Sequence, residues 1–82
     1  NPYELVYKEN LANNYLQLGK FNIAADILNQ LIDEDGSKSV KVKYLRVLAY
    51  LNLNDFDTAC PYISEIKDEP LVRSLELERF CN

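Results

Sequence analysis

The residues of this chain that could do covalent or metal chemistry are few and widely separated. Histidine is absent, which removes the commonest general base and the commonest metal ligand. The cysteines, Cys60 and Cys81, form no CxxC pair or Cys/His cluster, so no zinc site or dithiol motif is predicted. We expect free, buried thiols in a reducing compartment, and a Cys60–Cys81 disulfide is the alternative. The sequence therefore predicts a protein that is not an enzyme and needs no cofactor or metal.

The charged residues also limit the possible partners. The net charge of −4 argues against nucleic acid, because binding to phosphates needs an excess of Lys and Arg. The acidic run 33–35 lacks the alternating spacing of an EF-hand loop and predicts a solvated turn. Lys38, Lys41 and Lys43 are interpreted as a solvated helix start rather than a phosphate site. No apolar stretch reaches the roughly 20 residues that span a bilayer, so we expect no membrane partner. The two isolated cysteines suit a reducing compartment, so we expect an intracellular, cytoplasmic location.

Apolar periodicity predicts that helices position all of these residues. The first, second and fifth predicted helices cover residues 2–18, 22–32 and 71–80. The third is capped by Ser37 or Ser39 and ends before the break at 52–55, and the fourth begins near Asp57 and ends before 68–70. Asn1 is the predicted N-cap of the first helix, and Gly19 its left-handed end. Asp57 is the predicted cap of the fourth helix, and Pro61 is expected to loosen its first turn or delay its start. Because short turns join the helices, antiparallel hairpins are expected.

Each of the first four predicted helices has an apolar face. The residues predicted to face inward are Tyr7, Leu11, Ala12, Tyr15 and Leu18, then Ala24, Ile27, Leu28 and Leu31, then Tyr44, Val47, Leu48 and Leu51, then Ala59, Tyr62, Ile63 and Ile66. The two hairpins also match each other at an offset of 35 residues. The matched pairs are Tyr15 and Tyr50, Gly19 and Asn54, Phe21 and Phe56, Ala24 and Ala59, Leu28 and Ile63, and Leu31 and Ile66. Stacking of such like units supplies the core that one hairpin lacks.

The segment 10–25 resembles the tetratricopeptide repeat (TPR) family. The residues at its motif positions are Leu11, Ala12, Tyr15, Gly19, Phe21 and Ala24. The second repeat departs from the motif at Arg46, Val47, Asn54 and Pro61. The resemblance implies an all-α domain, residues 1–82, of antiparallel helix hairpins in an α-α superhelix. Repeat 1 would cover 1–36 and repeat 2 would cover 37–69. Residues 70–82 would form a capping helix or a truncated third-repeat helix, with Leu77, Phe80 and Cys81 at motif positions.

The TPR resemblance also implies a concave groove that holds a partner peptide or helix. The groove residues it implies are Glu9, Asn13, Leu16, Gln17, Lys41, Tyr44, Leu48, Leu51, Asn52 and Glu78, with Val6, Leu75 and Asn82 beside them. Tyr44, Leu48 and Leu51 would form an apolar stripe, although ordinary packing is the alternative for such residues.

Charge predicts which partners this groove would favour. Glu9 and Glu78 favour a neutral or basic protein partner. Only Asn13 fits the pattern by which related domains grip a C-terminal carboxylate, so chaperone tails are not expected. The predicted function is a protein-protein interaction module within a larger protein or complex. The alternative is an assembly element that docks on its own chain or on an identical copy.

Overall fold

The computed structural model describes residues 2–81, and every regular element in that range is helical. The elements are α1 (Pro2–Gln17), α2 (Phe21–Asn29), a π-helical segment (Gln30–Glu34), α3 (Val40–Asn52), α4 (Phe56–Ile66), α5 (Pro70–Arg73) and a 3₁₀ turn (Leu77–Phe80). The predicted all-α class is therefore confirmed. The predicted roles of Asn1 as a cap and of Asn82 in the groove lie outside the described residues.

The two hairpins close with the same backbone hydrogen bond. α1 packs against α2, and α3 packs against α4. In the first turn Lys20 N–H donates to the Tyr15 carbonyl at 2.9 Å, and in the second Asp55 N–H donates to the Tyr50 carbonyl at 2.9 Å. The left-handed residues of these turns are Gly19, with φ 77°, and Asn54, with φ 58°. The predicted left-handed end at Gly19 is confirmed, and the 35-residue offset recurs in the hydrogen bonding.

Two apolar clusters form the core, and α3 lies between them. The first cluster contains Ala12, Ala25, Leu28, Leu31, Val42, Leu45 and Ala49. The second contains Val47, Ala59, Ile63, Ile66, Val72 and Leu77. α3 buries residues in both clusters, so its apolar surface is wider than a single face. Small residues at Ala12, Ala24 and Ala59 are fully buried, so the helix backbones approach closely there.

The inward face of α1 differs from the predicted one. Tyr7 is 64% exposed and Leu18 is 69% exposed, so their predicted burial is wrong. Instead Leu5 and Leu16 pack against the first core cluster on the same side as buried Ala12. α1 carries apolar residues on two faces, so periodicity alone could not decide which face α2 and α3 cover.

α4 begins earlier than the sequence predicts. Asp55 is the N-cap, and its Oδ1 accepts a hydrogen bond from Thr58 N–H at 3.2 Å. The predicted cap at Asp57 and the predicted delay to Pro61 are therefore wrong. Pro61 lies inside the helix and is exposed, so the helix tolerates the missing N–H on its solvent side.

The predicted fifth helix, 71–80, is also wrong. α5 ends at Arg73, and Glu76 takes the left-handed conformation with φ 48°, which breaks the helix before the 3₁₀ turn. We call residues 74–81 the C-terminal strap. Leu77 is buried in the second core cluster while Phe80 remains exposed, so these residues do not occupy one helix face. A segment this short has little helical stability of its own, and the contacts with α4 decide its path.

The two cysteines are joined, which corrects the expectation of free thiols. Cys60 on α4 and Cys81 at the end of the strap form a disulfide, with their Cα atoms 5.7 Å apart. Both cysteines are half-buried. The bond ties the strap to α4 and closes the end of the second core cluster.

Candidate binding groove

Two hollows lie next to each other along α3 and share Leu48 and Asn52. The strap hollow has a volume of about 340 Å³. It is lined by Tyr44, Leu48, Leu51, Asn52, Leu75, Leu77, Arg79 and Phe80. The hairpin hollow has a volume of about 290 Å³. It is lined by Asn13, Leu16, Gln17, Phe21, Leu45, Leu48 and Asn52. Together the hollows make a mostly apolar groove, which we call the α3 groove.

Most of the groove residues that the sequence predicts line this surface. The predicted residues found there are Asn13, Leu16, Gln17, Tyr44, Leu48, Leu51 and Asn52, together with Leu75. Tyr44 and Leu51 also pack against the second core cluster, and Leu16 and Leu48 against the first. These side chains therefore contribute to packing on one side and to the groove on the other.

Polar groups at the groove are positioned by the ends of the helices. Asn52, the last residue of α3, donates a hydrogen bond from Nδ2 to the Leu48 carbonyl at 2.7 Å. This bond fixes the amide where both hollows meet, and its Oδ1 atom can still accept a hydrogen bond from a partner. Asn13 and Gln17 lie one helical turn apart on α1, so their amides border the same side of the hairpin hollow.

The structure does not bring the predicted acidic residues into either hollow. Glu9 Oε2 lies 3.4 Å from Lys41 Nζ, so an ion pair between α1 and α3 offsets its charge. Glu78 lies on another side of the strap, in a separate hollow of about 230 Å³ that Cys60 and Cys81 also line. Arg79 is the charged residue that lines the strap hollow, and the residues that line the hairpin hollow are uncharged. Neither Glu9 nor Glu78 lines the groove, so the charge preference predicted from them stays a prediction.

A second ion pair fixes α1 against the turn between the hairpins. Lys8 Nζ donates a hydrogen bond to Asp35 Oδ2 at 2.8 Å, and it lies 3.8 Å from Glu4 Oε1. The hydrogen bond to the Asp35 carboxylate is the main reason that the pKa of Lys8 is raised above 10.5. The acidic run 33–35 is exposed, as the sequence predicts, but Asp33 and Glu34 belong to the π-helical segment after α2 and not to a turn.

Two features next to the groove were not predicted from the sequence. The first is a buried Arg46, only 3% exposed, on the side of α3 that faces α2 and α4. Its position corresponds to the large apolar residue Leu11 in the first hairpin. This mismatch is the feature of the sequence from which a buried arginine could have been predicted. The second is the strap wall, where Leu77, Arg79 and Phe80 reach the hollow. No apolar pattern could show this wall, because the left-handed turn at Glu76 creates it.

The described residues show neither a metal cluster nor a membrane span. Across positions 2–81, no group of three or more His, Cys, Asp or Glu residues is placed to hold a metal ion. In the same range, no helix combines the length and apolarity needed to cross a membrane.

Comparison with known proteins gives no relative. The chain matches no protein-family model, and neither the curated proteins nor the solved structures yield a significant match. The resemblance to TPR proteins therefore depends on the residues of this chain alone.

Proposed function

We propose that this chain is a non-enzymatic, TPR-like module that holds a peptide or helix of a protein partner in the α3 groove. The observation that carries the proposal is the pair of adjoining hollows that share Leu48 and Asn52. Apolar side chains of a partner would fill the hollows, while the Asn52 amide would bond to the partner backbone between them.

The repeated turn geometry supports the TPR-like arrangement. The same hydrogen bond closes both hairpins at an offset of 35 residues, and the matched Ala24 and Ala59 are both fully buried. Repeats that stack in this way leave the faces of alternate helices open along one side. α1 and α3 are these alternate helices, and they contribute most of the groove.

The proposed partner is an apolar segment without a strong positive charge. The charge of Glu9 is partly offset by its ion pair with Lys41, and neither Glu9 nor Glu78 lines the groove. Arg79, in the wall of the strap hollow, can pair with an acidic residue beside the apolar anchor. A neutral or mildly acidic peptide with two bulky apolar residues fits these features.

The exposed face of α1 supports self-association as a second candidate function. Tyr3 is 85% exposed, and Val6 and Tyr7, one turn along, are exposed on the same face. An apolar patch of this kind is typical of an interface with another copy or another helix. Light scattering over a range of concentrations separates the candidates. A concentration-dependent dimer that Val6→Lys abolishes favours self-association, whereas a monomer at all concentrations argues against it.

Location is part of the proposal. Disulfides are stable in oxidising compartments, and in the cytosol they are usually transient or redox-sensing. The predicted intracellular location therefore requires that the Cys60–Cys81 bond be made and broken in the cell.

Peptide binding tests the proposed groove. Short immobilised peptides that carry pairs of Leu, Phe or Tyr at varied spacing would be screened with the purified chain. Asn52→Trp places a bulky ring where the two hollows meet, and we expect it to weaken binding by about tenfold or more. Asn14→Trp is the matched control, because Asn14 is exposed on α1 and lies outside the residues that line either hollow.

The comparison of these two variants decides the location of the site. Selective loss of binding with Asn52→Trp, at unchanged circular dichroism, supports the α3 groove. Equal affinities of both variants and the wild type would place the site elsewhere. The absence of any binding peptide, together with a stable dimer, would favour self-association.

A further inference from the structure

One wall of the strap hollow belongs to the strap, in which a single side chain is buried. Leu75, Leu77, Arg79 and Phe80 form this wall, and α3 forms the opposite one. Leu77 is the strap residue buried in the core, while its neighbours Glu76 and Glu78 are exposed. The strap contains one short 3₁₀ turn. Its position therefore depends on Leu77 and on the disulfide that follows it.

The disulfide lies where it can hold or release this wall. Cys81 is the last residue of the strap and follows Phe80, which lines the hollow. Its partner Cys60 is on α4, whose buried side chains Ala59 and Ile63 pack in the second core cluster. Breaking the bond would leave α4 in place and free the end of the strap.

The disulfide is also accessible from the surface. Two further hollows border it, one lined by Phe56, Asp57 and Phe80 and the other by Ser64, Lys67 and Glu78. Both cysteines line both hollows and are only half-buried. A thiolate reductant can therefore approach the sulfur atoms without unfolding of the domain.

We propose that Cys60–Cys81 is a redox modification site that controls the strap hollow, an inference that rests on the proposed function of the α3 groove. A dithiol, such as a thioredoxin-type protein, attacks the disulfide through a mixed disulfide. The S–S bond breaks, Cys60 and Cys81 together take up two electrons and two protons, and the dithiol becomes a disulfide. In the reduced chain the end of the strap leaves α3 while Leu77 stays in the second core cluster, and the strap hollow loses the part of its wall that Arg79 and Phe80 form. The hairpin hollow, built from α1, α2 and α3, is unchanged.

Hydrogen exchange tests the release of the strap without any ligand. Exchange would be followed by mass spectrometry for the oxidised chain and for the chain in dithiothreitol, with alkylation by iodoacetamide to confirm that both thiols are free. We expect strap amides to exchange about tenfold or more faster after reduction, because they lose their ordered contacts. Amides of α1 and α2 should keep their protection.

The double variant Cys60→Ser, Cys81→Ser is the matched control. It should exchange in the strap like the reduced wild type, both with and without dithiothreitol. If this variant does not fold, the wild type in reductant still decides the question. Unchanged strap exchange after complete reduction overturns the proposal, as does a bond that resists dithiothreitol in the folded chain. Faster exchange of all helices together also overturns it, since the bond would then stabilise the whole fold.

Binding measurements then connect the strap to the groove. Peptides recovered in the screen would be titrated into the oxidised and the reduced chain. We expect peptides whose affinity depends on Arg79 to bind the reduced chain more weakly than the oxidised chain. If every peptide bound both forms with equal affinity, the proposal that the disulfide controls the strap hollow would be wrong. If no peptide binds, the proposed function fails, while the exchange experiment still reports on the strap itself.

Discussion

The guanidinium carbon of Arg46 on α3 lies 3.5 Å from the centroid of the Tyr62 ring on α4. Arg46 is almost fully buried. Its guanidinium nitrogens lie 3.7 Å from a carboxylate oxygen of Glu65 and 3.9 Å from one of Asp33. Asn29 accepts a hydrogen bond from the Arg46 guanidinium, and its Nδ2 donates one to the Tyr50 hydroxyl at 2.8 Å. A polar network thus joins α2, α3 and α4 at a place where the first hairpin has an apolar residue.

Substitutions of Arg46 test what this network contributes. Among the described residues, no group accepts a hydrogen bond from the buried Nε atom, so the charge is incompletely compensated. Replacing such a group by an apolar residue of similar volume is often neutral or stabilising. We expect Arg46→Leu to stay within about 1 kcal/mol of the wild type in free energy of unfolding. Arg46→Ala should cost about 2–4 kcal/mol, because it leaves a cavity.

Urea unfolding followed by circular dichroism measures both Arg46 variants. If Arg46→Leu were as destabilising as Arg46→Ala, the charge itself and not the volume of the side chain would be essential. Tyr62→Phe is a useful control, because it keeps the aromatic ring under the guanidinium and removes only the hydroxyl group.

Substitution by glycine in one matched turn and by alanine in the other should change the free energy of unfolding in opposite directions. Asn54 holds a left-handed conformation with φ 58°, where glycine has no steric penalty. We expect Asn54→Gly to raise the free energy of unfolding by up to about 1 kcal/mol. Gly19→Ala should lower it by about 1–2 kcal/mol. An added Cβ at Gly19 would meet no atom within 4 Å, so the cost comes from the backbone alone.

The measurement is again the urea midpoint of each variant. Gly19→Asn should be less destabilising than Gly19→Ala, because asparagine tolerates this conformation better. Equal losses for Asn and Ala at position 19 would indicate that the left-handed geometry is not what limits this turn.

The sequence predicted the parts of the fold in which local pattern and tertiary packing agree. Ala59, Ile63 and Ile66 repeat at the spacing of a helix face and are all buried. Gly19 ends its helix in the conformation that its residue type favours. At such positions each residue and its neighbours indicate the same structure, so the sequence is sufficient.

The strap and the groove charges depend on contacts that no local pattern contains. The apolar spacing of 71–80 suits a helix, but burial of Leu77 and the bond to Cys60 are satisfied only if the chain turns at Glu76. The sequence predicts that the carboxylate of Glu9 lies in the groove, but in the structure it forms an ion pair with Lys41 from another helix. Contacts between distant segments determine both features. Most of the residues that line the groove could therefore be predicted from the sequence, whereas the wall formed by the strap and the charge of the groove could not.

Alkaline pH should remove the contribution of the Lys8 ion pair. The pKa of Lys8 is raised above 10.5 in the folded chain, chiefly by the hydrogen bond to Asp35. A raised pKa means that the folded state holds the proton more tightly than the unfolded state. The resulting stability is therefore fully present below about pH 10.5 and is lost as the pH rises through the raised pKa.

Lys8→Met makes this pH effect measurable. The variant should unfold at lower urea than the wild type near neutral pH, and the difference should shrink as the pH rises above 10.5. Lys20→Met is the control, because Lys20 is exposed in the turn after α1. A difference between Lys8→Met and the wild type that persists unchanged at high pH would show that packing of the Lys8 stem, not its charge, stabilises the fold.

Truncation of Leu77 tests whether the strap closes the second core cluster. Leu77 packs there with Val72, Ile63 and Ile66. We expect Leu77→Ala to cost about 2–4 kcal/mol in the oxidised chain, because the disulfide keeps the strap in place over the cavity. Leu71→Ala is the matched control, since Leu71 is 56% exposed and its loss should change stability by less than about 0.5 kcal/mol.

The same pair of variants also tests whether the strap stabilises α4 or is only attached to it. If the strap closes the core, hydrogen exchange in Leu77→Ala should accelerate at Ile63 and Ile66 on α4 as well as in the strap, because these residues lose a shared neighbour. α1 and α2 belong to the other cluster and should be protected as before. Faster exchange confined to the strap, with an unchanged urea midpoint, would mean that α4 is stable without it and that the disulfide alone determines where the strap lies.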